Sequence, residues 1–236
     1  MALYAIADIH LAFGCENKCM SIFKGWGNHE QRLQTNWNRL VGTDDTVVIA
    51  GDVSWAKTLA QALPDFEFIA NELSGKKIIL KGNHDYWWTT LLKMREFLLQ
   101  NNISNIDFLY NNAYESDGFS ICGTRGWIND GEMGGTGEAD ERILLREAAR
   151  LETSLESAPP NNETLVFLHY PPLYSYESNE QILEVIKKYA IKQVFSGHIH
   201  SSGMNNAFIG EKGGTYFDMI TADFLNFTPR KILTSK

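Results

Sequence analysis

Short apolar runs recur along the chain, each followed by a polar loop and then a helical stretch. Residues 2–7, 46–50 and 77–80 predict strands from their aliphatic content and turn-forming borders. Residues 119–122, 164–168 and 193–195 continue the series. Between them, Leu144, Leu145, Ala148, Leu151 and Leu155 share one helical face, with Glu and Arg opposite. Residues 58–73, 90–100 and 179–189 repeat that period more weakly, and residues 215–233 return to short strands and turns. Strands alternating with helices predict a layered α/β domain with helices outside the sheets.

No Pro-, Gly- or Ser-rich linker divides the chain, so residues 1–236 are expected to form a single domain. Pro159-Pro160-Asn161-Asn162 reads as a turn because a strand signal follows at once, and residues 131–137 read as a mobile Gly-rich surface loop. At 44% hydrophobic and 21% charged residues the composition is that of an ordinary globular protein, which excludes disorder and fibrous repeats. A formal net charge of -8 disfavours a broad grip on nucleic acid or anionic lipid but leaves a small phosphorylated substrate open. No apolar run approaches the roughly 18 residues of a membrane span, and the first ten residues lack the basic start and apolar stretch of a secretion signal. Cys15, Cys19 and Cys122 cannot all pair within one chain, and they read as reduced thiols of a cytoplasmic protein.

Five of the six histidines fall just after a predicted strand, beside carboxylate, carboxamide or glycine. They stand in Asp8-Ile9-His10, Gly82-Asn83-His84-Asp85, His169-Tyr170 and Gly197-His198-Ile199-His200, and Gly51-Asp52 occupies the same kind of position. Side chains collected at strand ends point into one crevice, where open α/β sheets put their sites. Asp8, His10, Asp52, Asn83, His169, His198 and His200 form an oxygen and imidazole donor set without thiolate, suited to first-row divalent metals. Seven donors exceed one tetrahedral ion and suit two ions sharing a bridge, for which a carboxylate such as Asp52 is apt. Two divalent cations carry more charge than Asp8 and Asp52 return, so the site would attract an anion and acidify water.

The ordered motifs Asp-x-His, Gly-Asp, Gly-Asn-His-Asp, a lone His and Gly-His-x-His resemble those of the calcineurin-like metallophosphoesterase superfamily, from His10 to His200. The resemblance implies a four-layer sandwich of two mixed β-sheets face to face, flanked by α-helices. It puts Asp8, His10 and His200 on one metal and Asn83, His169 and His198 on the other, with Asp52 between. His84 would act beside the phosphate, protonating the leaving oxygen or stabilising transition-state charge. The implied cofactors are two divalent ions, Mn, Fe or Zn, with Mn the first choice in vitro. The implied reaction is hydrolysis of a small phosphodiester, nucleotide or phosphomonoester by a metal-bridging hydroxide.

The chain departs from the protein-phosphatase branch of that superfamily, whose motif continues Gly-Asp-x-x-Asp-Arg. Here the run is Gly51-Asp52-Val53-Ser54-Trp55-Ala56, so Trp55 replaces the acid that would orient His84 and Ala56 replaces the phosphate-binding arginine. Ser/Thr phosphoprotein phosphatase activity is therefore the lesser alternative, beside a non-catalytic metal-binding scaffold. Arg125, flanked by Gly123-Thr124 and Gly126, is the candidate for the missing phosphate contact, weighed evenly against a surface ion pair. Gly27-Asn28-His29-Glu30 copies the metal tripeptide without a preceding strand, and it is assigned to a loop of residues 11–30 over the site mouth. From that loop Lys24 and His29 are weighed as substrate contacts against ordinary loop residues, and the second reading is preferred. Tyr86, Trp87, Trp88, Trp26, Trp55 and Trp127 are read as core filling in preference to a nucleobase platform, and Asp85 as a turn or capping residue.

Overall fold

Strand faces decide the architecture. In β1 (Leu3–Ile6), Leu3 and Ala5 face one way and Tyr4 and Ile6 the other, and all four are buried. A strand buried on both faces must lie between two layers. The same split divides β2 (Thr46–Ala50), where Val48 and Ala50 join Leu3 and Ala5 in one apolar cluster while Val47 and Ile49 join Tyr4 and Ile6 in another. The computed structural model describes residues 1–16, 18–127, 138–175 and 177–233.

The first sheet takes the order β11-β1-β2-β3-β4, with β3 (Lys76–Leu80) and β4 (Ile106–Phe108) parallel to β1 and β2, and β11 (Arg230–Lys231) an antiparallel edge. The second sheet runs β5-β6-β7-β8-β10-β9. Its interior strands β6 (Phe119–Thr124), β7 (Glu163–Leu168), β8 (Gln193–Ser196) and β10 (Thr215–Met219) are parallel. Antiparallel β5 (Tyr114–Ser116) and β9 (Gly210–Lys212) close its edges. Ile121, Leu165, Phe167 and Phe195 meet Ala5, Val48 and Leu80 across the gap between the sheets.

Helices cover both outer faces. Leu33 and Trp37 of α1 (His29–Leu40), Phe66 and Ile69 of α2 (Leu59–Asn71), and Met94 and Leu98 of α3 (Leu91–Gln100) pack with Val47, Ile49 and Ile79 of the first sheet. Leu151 and Leu155 of α4 (Glu138–Glu156) and Ile182 and Ile186 of α5 (Glu180–Lys188) pack on Val166, Leu168 and Val194 of the second. The chain is thus the expected four-layer α/β sandwich. Thr58, Thr90 and Asn179, the predicted first residues of three helices, each accept a backbone N–H of the first turn and so cap α2, α3 and α5.

Two expectations change. Residues 29–40 form α1, whose Leu33 and Trp37 supply a sparse apolar face that its many polar residues conceal. Hence the loop over the mouth ends before His29, which lies 2% exposed against Trp26 and Phe227 and cannot touch a substrate. Short β4, β5 and β9, of three residues each, carry too little pattern to be read in advance. The Gly-rich stretch 131–137 lies outside the described residues.

Candidate metal centre

Parallel strands leave the sheets in one direction, so the loops after β1, β2, β3, β7 and β8 gather at one end of the sandwich. Ala7 ties the sheets together there: its N–H donates to the Ile220 carbonyl and its own carbonyl accepts from Ala222. The turns that follow are tight. Asp8, His10, Asp52 and His198 all have positive φ, between 47° and 73°, a conformation that costs a non-glycine residue free energy and clusters at functional sites. The glycines of the motifs have a steric role. A Cβ on Gly82 would sit 2.1 Å from Asp52 Oδ1, and one on Gly197 would sit 2.4 Å from Asp8 Oδ2. Only glycine lets each loop pass so close to the carboxylate presented by its neighbour.

The seven predicted donors come together at this end. Among the described residues, Asp8, His10 and His200 offer ligand atoms within 4.8 Å of one another, and so do Asp8, Asp52 and His169. Asn83 Oδ1 lies 2.6 Å from His169 Nε2 and 2.9 Å from His198 Nδ1, which joins those three side chains. Asp52 spans the two groups, with Oδ2 3.8 Å from His10 Nε2 and Oδ1 3.6 Å from His169 Nε2. His10 Nε2 and His200 Nε2 face each other at 3.3 Å, and His200 Nε2 is 3.1 Å from Asp8 Oδ1.

Charge balance in this cluster is poor. Burial and then the charge of Asp8 push the Asp52 carboxyl well above the ordinary carboxylate range. Asp8 is raised by burial too, yet His200 and His169 outweigh that and hold it low. Burial drives His10 and His169 down, and with His169 nearby it drives His198 down to about 3. Neutral imidazoles beside crowded carboxylates are the donor state that divalent cations take up. His200 differs: burial lowers it, but Asp8 and then Asp223 overcome burial and raise it to about 10.

Three neighbours of the cluster have roles that the sequence did not reveal. Asp223, just past β10, accepts from His200 Nδ1 at 3.0 Å and from the Ser201 N–H at 2.9 Å, so it fixes the ring that faces Asp8. Its signal in the sequence was an acid directly after an apolar run, the same signal that marked Asp8. Asp85 is a hub. It accepts from the backbone N–H of Asp52, Val53, Ser54 and Gly82 and from Trp87 Nε1, at 2.7–3.2 Å, which locks the second and third ligand loops together. Lys18 places its ammonium 4.3 Å from the Trp55 ring.

His84 stands at the edge of the cluster. Its N–H donates to Asp52 Oδ1 at 2.8 Å, and its Nε2 lies 3.9 Å from Asp52 Oδ2. Trp55 fills the place of the missing acid, its ring centred 4.3 Å from the His84 ring and stacked 5.1 Å from His10. Packing, with no carboxylate on Nδ1, therefore sets the orientation of His84. Burial and then His169 pull its pKa down. Of the other aromatics, Trp26 and Trp87 are core, whereas Tyr86 is 60% exposed.

Arg125 is not turned toward these donors. Its carbonyl accepts the N–H groups of His169 and Tyr170, while its guanidinium lies 3.9 Å from Glu147 and 4.8 Å from the Trp127 ring. There it lines a separate cavity beside the cluster.

The family described as calcineurin-like phosphoesterase matches residues 1–202. No match emerged among curated proteins. Among solved structures, TT1561 of Thermus thermophilus is similar with a TM-score of 0.54 at 12% identity, covering 98% of this chain and 97% of that one. AQ665 from Aquifex aeolicus, a protein of unknown function, gives 0.49 at 17% identity, covering 98% and 95%.

Proposed function

The chain belongs to the calcineurin-like phosphoesterase family, and from that premise we propose that it is a dinuclear metal-dependent phosphohydrolase of the cytoplasm. Its substrate is a small phosphorylated molecule, a diester, nucleotide or monoester, and neither nucleic acid nor a membrane. One observation carries the reading: two donor groups share Asp8, and Asp52 reaches toward both. Buried carboxylates this close, ringed by imidazoles whose burial keeps them neutral, fit a pair of divalent cations. Such cations, Mn first in vitro, would supply Lewis acidity and lower the pKa of water.

The chain's own residues then have distinct tasks. Asp8, His10 and His200 would hold one cation, Asn83, His169 and His198 the other, and Asp52 both. His84 would donate to the phosphate oxygens or to the departing alkoxide, steadied by Trp55. An arriving phosphate anion counteracts the burial that depresses the His84 pKa, so protonation follows substrate binding. Lys18, held over Trp55, adds a cation at the rim. Free thiols at Cys15, Cys19 and Cys122 support the cytoplasmic assignment, and no described helix is long and apolar enough to cross a membrane.

The test is hydrolysis of mono-, di- and pyrophosphate esters by protein loaded separately with Mn, Zn, Fe or Mg. His84→Ala should lower kcat by about 10²–10⁴-fold while two ions per chain remain bound. Absence of turnover with every metal would instead favour a metal-binding scaffold.

A further inference from the structure

A cavity of about 220 Å³ opens beside the metal centre and belongs to no task described so far. Among the described residues, Lys81, Arg125, Arg146 and Arg150 line it with a single acid, Glu147, in a chain whose net charge is -8. Glu147 offsets only one of those four charges. It is fully buried and already accepts from Arg150 Nη1 at 2.6 Å and from Thr124 Oγ1 at 2.6 Å, while Arg125 stays 3.9 Å away. Arg125 Nε is buried with no hydrogen-bond partner among the described residues. Holding several cations together in a concavity is unfavourable unless an anion joins them.

Position links the cavity to the crevice. Lys81 leaves β3 two residues before Asn83, and the Arg125 carbonyl is hydrogen-bonded to the N–H of His169. The cavity thus sits at the same ends of the strands, one strand farther out: between β3 and β4 in the first sheet and at β6 in the second, roofed by α4. Its wall is aromatic, with Trp88 and Tyr110 6.1 Å apart and Arg150 5.4 Å above Tyr110.

Resting on the phosphohydrolase reading, we infer that this cavity binds a second anionic group of the substrate, so that the preferred ester carries two phosphates. The scissile phosphate lies at the metal centre. The second is held by Arg125, Arg146 and Lys81, whose guanidinium and ammonium donors suit a phosphate dianion. An apolar stem between the two would lie along Trp88.

Binding on manganese-loaded His84→Ala protein, measured by titration calorimetry, separates this inference from catalysis. A series of α,ω-alkanediol bisphosphates should include members that bind at least about tenfold tighter than the matching alkyl monophosphates. Adding Arg146→Glu should bring that ratio to about one. Lys212→Glu, an equal charge change on β9, should leave the ratio in place. A ratio of one in the parent protein, or one that survives Arg146→Glu together with Lys81→Gln, overturns the second-anion cavity. If the ratio holds but wild-type protein hydrolyses no ester, the cavity stands and the phosphohydrolase reading fails.

Discussion

Two sets of buried acids lie against each other at the strand ends, and the fold treats them oppositely. Asp85 is surrounded by protein donors, four backbone N–H groups and one indole, and its burial is answered within the chain. Asp8 and Asp52 are as deeply buried but take fewer backbone donors, the His198 N–H on Asp8 Oδ2 and the His84 N–H on Asp52 Oδ1, while Asp52 Oδ2 faces imidazole nitrogens at 3.8 and 3.9 Å, too far for hydrogen bonds. The first arrangement is complete as it stands. The second leaves a carboxylate oxygen turned toward imidazoles, the arrangement that the proposed cations would complete, and the difference separates scaffold from proposed site more sharply than residue type or depth of burial would. Burial raises both Asp85, to about 7, and Asp52, so desolvation alone does not distinguish them; partners do.

Removing one charge from each set should break the comparison in opposite directions. Asp52→Asn keeps the shape and abolishes the carboxylate, so turnover should fall by about 10³-fold or more and both ions should bind weakly. The metal-free variant should melt no lower than metal-free wild type, because a repelled charge has gone. Manganese at about a hundred times its Kd should stabilise wild type by about 3 kcal/mol and the variant by far less. Asp85→Asn should instead lose about 2–4 kcal/mol with or without metal, since an amide cannot satisfy five donors. Thermal melts of the three proteins, each with and without manganese, check both halves, and an Asp85→Asn loss that manganese restores would merge the two sets.

Asp223 stands between them, being a protein partner for His200, one of the proposed ligands. Asp223→Ala should weaken the ion at the Asp8, His10 and His200 group by about 10–100-fold and leave the other ion nearly untouched. Competition with a chromogenic chelator reads the two affinities separately. Equal weakening of both would mean that His200 serves the whole cluster.

The donors themselves were legible because each follows an apolar run whose period marks a strand end, and such ends converge in parallel sheets. The layering was also within reach, since β1, β2 and β7 carry apolar residues on both faces. What escaped depends on contacts between distant segments. Asp223 matters only because β10 inserts beside β8, and Asp85 only because Gly82 lets two loops touch. Arg125 directly follows β6, but its direction, toward Glu147 and the basic cavity, is set by α4 some twenty residues later. His29 shows the converse: a motif-like tripeptide without a strand before it became the buried first residue of an outer-face helix.

Asp65 gives a test on the scaffold side that pH alone can read. It lies fully buried in α2, accepting the Phe13 N–H at 2.7 Å and the Ser54 hydroxyl, so it anchors the segment that follows the first ligand loop. Burial outweighs those two donors and raises its pKa to about 6. The unfolded carboxyl ionises near pH 4, so between about pH 4 and 6 the native state keeps a proton that the unfolded state has lost. Its contribution is therefore full below pH 4 and declines as pH rises through 6, by about 3 kcal/mol across the window. Asp65→Asn carries no titrating proton, so the stability of wild type relative to the variant should fall by that amount from pH 4 to 7 in urea titrations. A flat difference would mean that Asp65 is ionised throughout, and that two donors are enough to hold a buried acid charged at this end of the sandwich.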